Sequence, residues 1–231
     1  MTSTDPSPSG VVCRGLFRTY QLRGSHVPAL RGTDLRLQAG TLTAVVGPSG
    51  SGKSTLLRLL AGLDRPDSGS ITIDGTEISA LSRRQRVRVR RRRLGFLFQA
   101  PADNLLEYLT VRQHLHLAAK LRGISVRDAQ IDTLLARLGL TERAGHLPRQ
   151  LSGGEQQRAG IAFAAVGPPA LLIADEPTAQ LDHMTVDSVL DAFLTLARAH
   201  VAVIAATHDP AVAAHADQVL QMRDGRIEAR R

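Results

Sequence analysis

Gly47-Pro48-Ser49-Gly50-Ser51-Gly52-Lys53-Ser54-Thr55 lies between an apolar run, Leu42-Thr43-Ala44-Val45-Val46, and a leucine-rich one, Leu56-Leu57-Arg58-Leu59-Leu60. A β-prone run, a glycine turn and a helical leucine pattern make up the context of a phosphate-binding loop. The glycines let successive backbone N–H groups face one concavity, and the following helix adds the partial positive charge of its N-terminus. Lys53 supplies a point charge for β- and γ-phosphates, and the Ser54 hydroxyl a ligand for Mg²⁺. Only Lys53 and Lys120 are lysines in this chain, so a lysine at this place is hard to read as accident. The loop implies a nucleoside triphosphate, held by Gly47, Ser49, Gly50, Ser51, Gly52, Lys53, Ser54 and Thr55. It does not say what the energy is used for.

Upstream, residues 10–20 are rich in β-branched and aromatic side chains and predict a first strand ending at Tyr20. A tyrosine there offers a flat π-face to a nucleobase; covering the core of an edge strand is the plainer role. Residues 31–43 read as a hairpin turning at Ala39-Gly40 and feeding the loop strand. Downstream, Ser70-Ile71-Thr72-Ile73 alternates as a short strand. Leu94-Gly95-Phe96-Leu97-Phe98 reads as a buried strand that delivers Gln99 to its end. Residues 111–121 and 126–138 repeat Leu, Ile and Ala at three- and four-residue spacing, so a helical insertion is expected.

Leu151-Ser152-Gly153-Gly154-Glu155-Gln156-Gln157-Arg158 opens another helix, with Ser152 and Glu155 spaced as a capping box. Capping does not explain two adjacent glycines in a first helical turn, each costing about 1 kcal/mol against alanine. Something must approach that backbone closely, and an anion at the helix N-terminus is the expected visitor. Ala170-Leu171-Leu172-Ile173-Ala174 is continuously apolar, as a central strand buried on both faces would be. It ends in Asp175-Glu176, carboxylates that suit a metal and a water-polarising base. Val201-Ala202-Val203-Ile204-Ala205-Ala206 is a second such run and ends in Thr207-His208-Asp209, which puts His208 beside phosphate. A last hairpin is expected around Asp224-Gly225.

Composition bounds the possibilities. The chain has 231 residues, ordinary apolar content and one cysteine, Cys13, so an internal disulfide and a cysteine-based zinc site are excluded. Residues 1–9 are Ser/Thr/Pro-rich and read as a disordered tail, without the apolar core of a signal peptide or an anchor. No apolar stretch is long enough to span a bilayer, so work at a membrane would need another chain. The net charge of +8 is concentrated: Arg-Arg-Gln-Arg-Val-Arg-Val-Arg-Arg-Arg-Arg, residues 83–93, holds eight arginines, and without them the chain has no net charge. Three readings fit this run. A solvated helix face comes first, contact with anionic lipid headgroups or a partner's acidic loop second, and nucleic acid last, since aromatics are scarce.

With these pieces in order, the chain resembles the nucleotide-binding subunit of an ABC (ATP-binding cassette) transporter over nearly its whole length. Walker A is residues 47–54, the Q-loop residue is Gln99 and the signature is residues 151–158. Walker B is residues 171–175 followed by Glu176, the D-loop is Ala179-Gln180-Leu181-Asp182, and the switch histidine is His208. The Gly95-Phe96-Leu97-Phe98-Gln99 stretch, Asn104-Leu105-Leu106 and Pro28-Ala29-Leu30-Arg31-Gly32 are similar to the macrolide-exporter, lipoprotein-release and cell-division branch. The resemblance implies an α/β P-loop NTPase fold: a mostly parallel central sheet, an antiparallel β subdomain and an inserted helical subdomain. Residues 10–231 would form the domain, with its core at about 10–99 and 160–231 and the helical part at about 100–159.

The resemblance also assigns roles. Glu176, His208 and Gln99 are catalytic, and Ser54, Gln99 and Asp175 serve Mg²⁺. Tyr20 stacks on adenine, while Ser152, Gly153, Gly154 and Asp182 meet the ATP of a second copy in a head-to-tail sandwich. A membrane permease docks near residues 100–116 and holds the subunit on the inner, cytoplasmic face of the membrane. Export or mechanical work on the cell envelope is the reading of this branch; an importer cassette and a soluble ABC ATPase acting on nucleic acid are the alternatives. Three departures from the family pattern stand out: Ala179-Gln180 in the D-loop, Phe163-Ala164 after the signature, and Glu107 in place of a common proline.

Overall fold

A computed structural model of the protein describes residues 10–22 and 25–230; the expected N-terminal tail, 1–9, lies outside the described residues. Strands β1 (Gly10–Leu22) and β2 (Ser25–Gln38) come first, then β3 (Leu42–Val46), which runs through the glycine loop into helix α1 (Lys53–Leu60). Strands β4 (Ser68–Ile73) and β5 (Thr76–Glu77), helix α2 (Arg83–Arg93) and strand β6 (Leu94–Leu97) follow. Helices α3 (Val111–Arg122), α4 (Asp128–Arg137) and α5 (Gly153–Ala165) then precede β7 (Leu171–Asp175). The chain continues through α6 (His183–Arg198), β8 (Ala202–Ala206), α7 (Pro210–His215), β9 (Gln218–Arg223) and β10 (Arg226–Arg230).

Two sheets result. One is antiparallel in the order β2-β1-β4-β5; the other runs β10-β9-β3-β8-β7-β6. In the second, every neighbouring pair from β9 to β6 is parallel, and β10 alone is antiparallel. The expected hairpin over residues 31–43 is not formed. The chain does turn at Ala39-Gly40, but β2 pairs with β1, whereas both edges of β3 are taken by β8 and β9. Local turn chemistry marks a reversal; it cannot say which strand will satisfy the backbone groups on either side.

Strand β8, and β7 up to its terminal Asp175, are apolar because both faces are covered. Leu171 and Ile173 face a core shared with α1 and the antiparallel sheet, while Leu172 and Ala174 face one shared with α5 and α6. Helix starts follow the capping residues. Ser82 caps α2, Thr110 caps α3 and Ser152 caps α5, each reciprocated by the third residue in, Gln85, Gln113 and Glu155. Burial pushes the Cys13 thiol well above its usual range, which leaves it an inert core residue.

Candidate active site

The site follows from strand order and register. The C-terminal ends of the parallel strands align: Val45 pairs with Ala206, Asp175 with Ala206, and Leu97 with Ala174. The loops leaving β3, β8, β7 and β6 therefore stand side by side as the phosphate loop, His208, Glu176 and Gln99. Ligands of open parallel sheets bind outside such carboxyl ends. A cavity of about 540 Å³ opens there, lined by Gly47, Ser49, Gly50, Gly52, Lys53, Ser54, Thr55, Gln99, Glu176 and His208, with Ala29 and Pro48.

The phosphate loop is shaped by distant strands. At Gly52, which begins α1 with φ 105°, a Cβ would press on the Ala29 carbonyl, on Met222 Cε at 3.0 Å and on Leu30 Cδ2 at 3.2 Å. At Gly47 a Cβ would run into the Met222 carbonyl. The Gly225 N–H donates to the Ser51 carbonyl at 2.9 Å, so the β9–β10 turn braces the loop from behind. Lys53 lies along the loop mouth, its Nζ donating to the carbonyls of Gly47 at 2.7 Å and Pro48 at 3.1 Å. Ser51 is buried, and its Oγ has no partner among the described residues.

Glu176 is the strained member. Its φ of 47° is left-handed, a conformation costly for a residue with a Cβ, and its N–H is fixed to the Ala206 carbonyl at 2.8 Å. That backbone swings the carboxylate to His208: Oε2 accepts from the His208 N–H at 3.3 Å and lies 2.9 Å from Nδ1. The carboxylate is mostly covered, with 17% of its side chain exposed, against 72% for the histidine. Asp175 is the deeper carboxyl. Burial pushes its pKa up and the charge of Glu176 adds to this, while a hydrogen bond from Ser54 and the charge of Lys53 pull the other way; the net direction is upward.

Gln99 projects from the end of β6, and Asn104 shapes its loop by accepting from the Phe98 N–H at 2.8 Å and donating to the carbonyls of Phe98 and Ala100 at 3.1 Å. His114 fastens the far side, its Nε2 accepting from the Leu106 N–H at 2.7 Å and its Nδ1 donating to the Thr110 carbonyl at 2.8 Å. Behind the carboxylates, Thr178 donates to Asp209 at 2.8 Å and the buried Gln157 to the Pro177 carbonyl at 2.8 Å. Sequence reading missed Asn104, His114, Thr178 and Gln157 as shaping residues: Thr178 and Gln157 have partners on other segments, and Asn104 and His114 bond within an irregular loop that no periodic pattern marks.

Of the expected ligand residues, Tyr20, Ser51, Asp175, Ser152, Gly153, Gly154 and Asp182 do not line this cavity. Ser152, Gly153 and Gly154 begin α5, and Asp182 caps α6 by accepting from the Thr185 N–H at 3.0 Å. Within the chain, the signature glycines are approached by side chains of the D-loop and α6. A Cβ on Gly154 would overlap the Thr185 methyl group, and one on Gly153 would touch Leu181 Cδ2 at 3.4 Å. Gly154 thus has a packing reason apart from any anion, whereas Gly153 keeps its free face. Tyr20 donates to Asp64 Oδ2 at 3.0 Å, and the Arg18 guanidinium covers one ring face at 4.8 Å.

Strand ends bearing a glycine loop, a glutamine, an acidic pair and a histidine around one cavity, with a glycine-led helix outside it, describe one family. The ABC transporter family model matches residues 30–179. This chain belongs to the ABC transporter family. The ATP-binding protein LolD of a lipoprotein-releasing system, from Legionella pneumophila (strain Lens), is 40% identical over 218 residues, covering 93% of this chain and 95% of that protein. The macrolide export ATP-binding/permease protein MacB of Rhodopseudomonas palustris (strain BisB18) is 44% identical over 226 residues, covering 96% of this chain but 34% of that protein. Among solved structures, the dimeric bacterial cassette MJ0796 is 31% identical, with a TM-score of 0.82 and 96% and 97% coverage of the two chains. The same cassette is known as a dimer in a post-hydrolysis state bound to ADP and Pi. This chain is thus an ABC-type ATPase of P-loop fold from the LolD/MacB-like branch. Among the described residues, no helix is long and apolar enough to cross a membrane.

Proposed function

We propose that this protein is the ATP-hydrolysing subunit of a transporter whose membrane part is another chain, and that two copies close head to tail around two ATP molecules. The observation that carries the reading is Glu176, held in a left-handed backbone conformation and bonded to His208 at the edge of the phosphate-loop cavity. The phosphate loop binds the β- and γ-phosphates through its N–H groups and Lys53. Glu176 orients and polarises the attacking water, accepting its proton at a carboxylate oxygen, and His208 fixes the direction of that carboxylate. Tyr20 would carry adenine on the ring face opposite Arg18.

Mg²⁺ fits the donors present. Ser54 offers a hydroxyl bonded to Asp175, and Gln99 an amide oxygen, while no group of three or more His, Cys, Asp or Glu among the described residues could form a complete cage. An ion that keeps phosphate oxygens and water as ligands suits such a sparse set. When bound, it neutralises charge on the transferred phosphoryl group.

Ser152, Gly153 and Gly154 stand outside the cavity of their own chain, which supports their use on the ATP of a second copy. The core at about 10–99 and 160–231 would then act as one body and the helices at about 100–159 as another. Phe98, Leu106 and Tyr108 are apolar or aromatic side chains left 50%, 40% and 74% exposed around the Gln99 loop. Their exposure supports docking of a permease element near residues 100–116, which would hold the subunit at the cytoplasmic face. The branch supports export or mechanical work on the envelope. Glu176→Gln should lower ATP turnover by about 10²–10⁴-fold and leave an ATP-bound dimer on a sizing column. A variant that stays monomeric with ATP and permease present, or that hydrolyses ATP normally, overturns the reading.

A further inference from the structure

Seven of the eight arginines of α2 divide into two sets. Arg86, Arg90 and Arg91 donate to the carbonyls of Leu81, Gly62 and Leu121, and Arg93 pairs with Asp74 at 3.0 Å. These four fasten to the body a helix that has no buried residue. Arg84, Arg88 and Arg92 recur at four-residue spacing, so they form a stripe on one face. All three are exposed, and they have neither hydrogen bond nor ion pair among the described residues. Like charges already work against one another here: burial first, then the charges of Arg86 and Arg83, lower the Arg90 pKa.

The stripe borders a depression of about 290 Å³, lined by Arg84, Arg88, Arg91, Arg92, Arg122 and Gly123, with Val87 at its edge. Five guanidinium groups around one concavity, with no carboxylate in the lining, favour an oxyanion of high charge density. The surroundings narrow the class. Val87, which lines the depression, and Leu121, whose carbonyl Arg91 binds, are 36% and 48% exposed. Cationic heads among solvent-facing aliphatic chains match the boundary between headgroup phosphates and acyl chains. Nucleic acid fits less well, since no aromatic side chain lines the depression to stack on a base.

We propose that the Arg84-Arg88-Arg92 face of α2, with its depression against the end of α3, binds the phosphates of anionic phospholipid headgroups and gives the subunit a direct membrane contact besides the one through a permease. The full chain should float with phosphatidylcholine vesicles containing phosphatidylglycerol and not with phosphatidylcholine alone. Arg84→Gln, Arg88→Gln and Arg92→Gln combined should reduce partitioning by about a hundredfold or more at low salt. The control combines Arg14→Gln, Arg36→Gln and Arg198→Gln, which removes the same charge from exposed positions elsewhere and should retain binding. ATP binding, followed separately with a fluorescent nucleotide, should be equal in all three proteins, so failure of lipid binding is distinct from failure of the nucleotide site. The proposal is overturned if the wild type does not float, if both variants lose binding alike, or if inorganic phosphate alone empties the site at the vesicle surface. Stripe-dependent binding of duplex DNA in preference to vesicles overturns it as well.

Discussion

Replacing Gly154 by alanine should destabilise the protein, against the direction that helix propensity gives. Alanine in a helix interior is favoured over glycine by about 1 kcal/mol. At Gly154, however, the new methyl would overlap Thr185 Cγ2 and lie 3.3 Å from Thr185 Cβ. The threonine is not free to turn away: its hydroxyl bonds both carboxylate oxygens of Asp182 at 2.9 Å, within the cap that starts α6. Rotating it would give up a bond to a charged group, worth about 1.5–3 kcal/mol. Sliding α5 off α6 would instead incur the cost of overpacking, about 1–3 kcal/mol. Set against the gain in propensity of about 1 kcal/mol, the net loss should centre on about 1 kcal/mol and not exceed about 2 kcal/mol. Urea unfolding without nucleotide should show this as a lower midpoint at unchanged slope. Thr185→Ser removes the obstructing methyl and keeps the hydroxyl, so the double variant should recover at least about 1 kcal/mol in a mutant cycle. A Gly154→Ala protein as stable as wild type, or no rescue by Thr185→Ser, refutes the packing account. Hydrolysis that stays low in a rescued double variant assigns the remaining loss to the ATP-facing role of the glycine.

Arg122→Met should cost about 2–4 kcal/mol in denaturant unfolding, because the buried guanidinium serves the carbonyls of Leu94, Ala164 and Gly167 and those would be left without a donor. Acid should weaken the anchoring of the Gln99 loop. Burial lowers the His114 pKa below 6.5, the Thr110 carbonyl opposing only in part, since the Leu106 N–H needs the unprotonated Nε2. The folded state then binds fewer protons than the unfolded one, so this contribution is complete above about 6.5 and is lost as pH falls below it. Melting temperatures taken from neutral pH downward should fall less steeply for His114→Gln than for wild type, and parallel curves would contradict this.

Much of the nucleotide site is legible along the chain because its parts are short and local. The glycine loop, the apolar runs that end in Gln99, Asp175-Glu176 and His208, and the capping box at Ser152 each depend on residues within a few positions of one another. Their chemistry is stated by type and spacing. The paired signature glycines are legible as an oddity in a first helical turn. That Gly154 is crowded by Thr185, some thirty residues downstream, is not, because the packing of α5 on α6 brings the two together.

Residue order alone says which groups end the buried strands, and hence that a phosphate site with a base and a histidine exists. How those ends meet depends on strand pairing across the whole chain. β2 left β3 for β1, so that β8 and β9 could flank the loop strand; this register sets His208 between the loop and Glu176. Tertiary packing also divided eight similar arginines into four that hold α2 down and others that face outward. Strand partners and arginine partners are chosen by backbone groups far away in the chain, which must be satisfied all at once, and no window of neighbouring residues contains that condition.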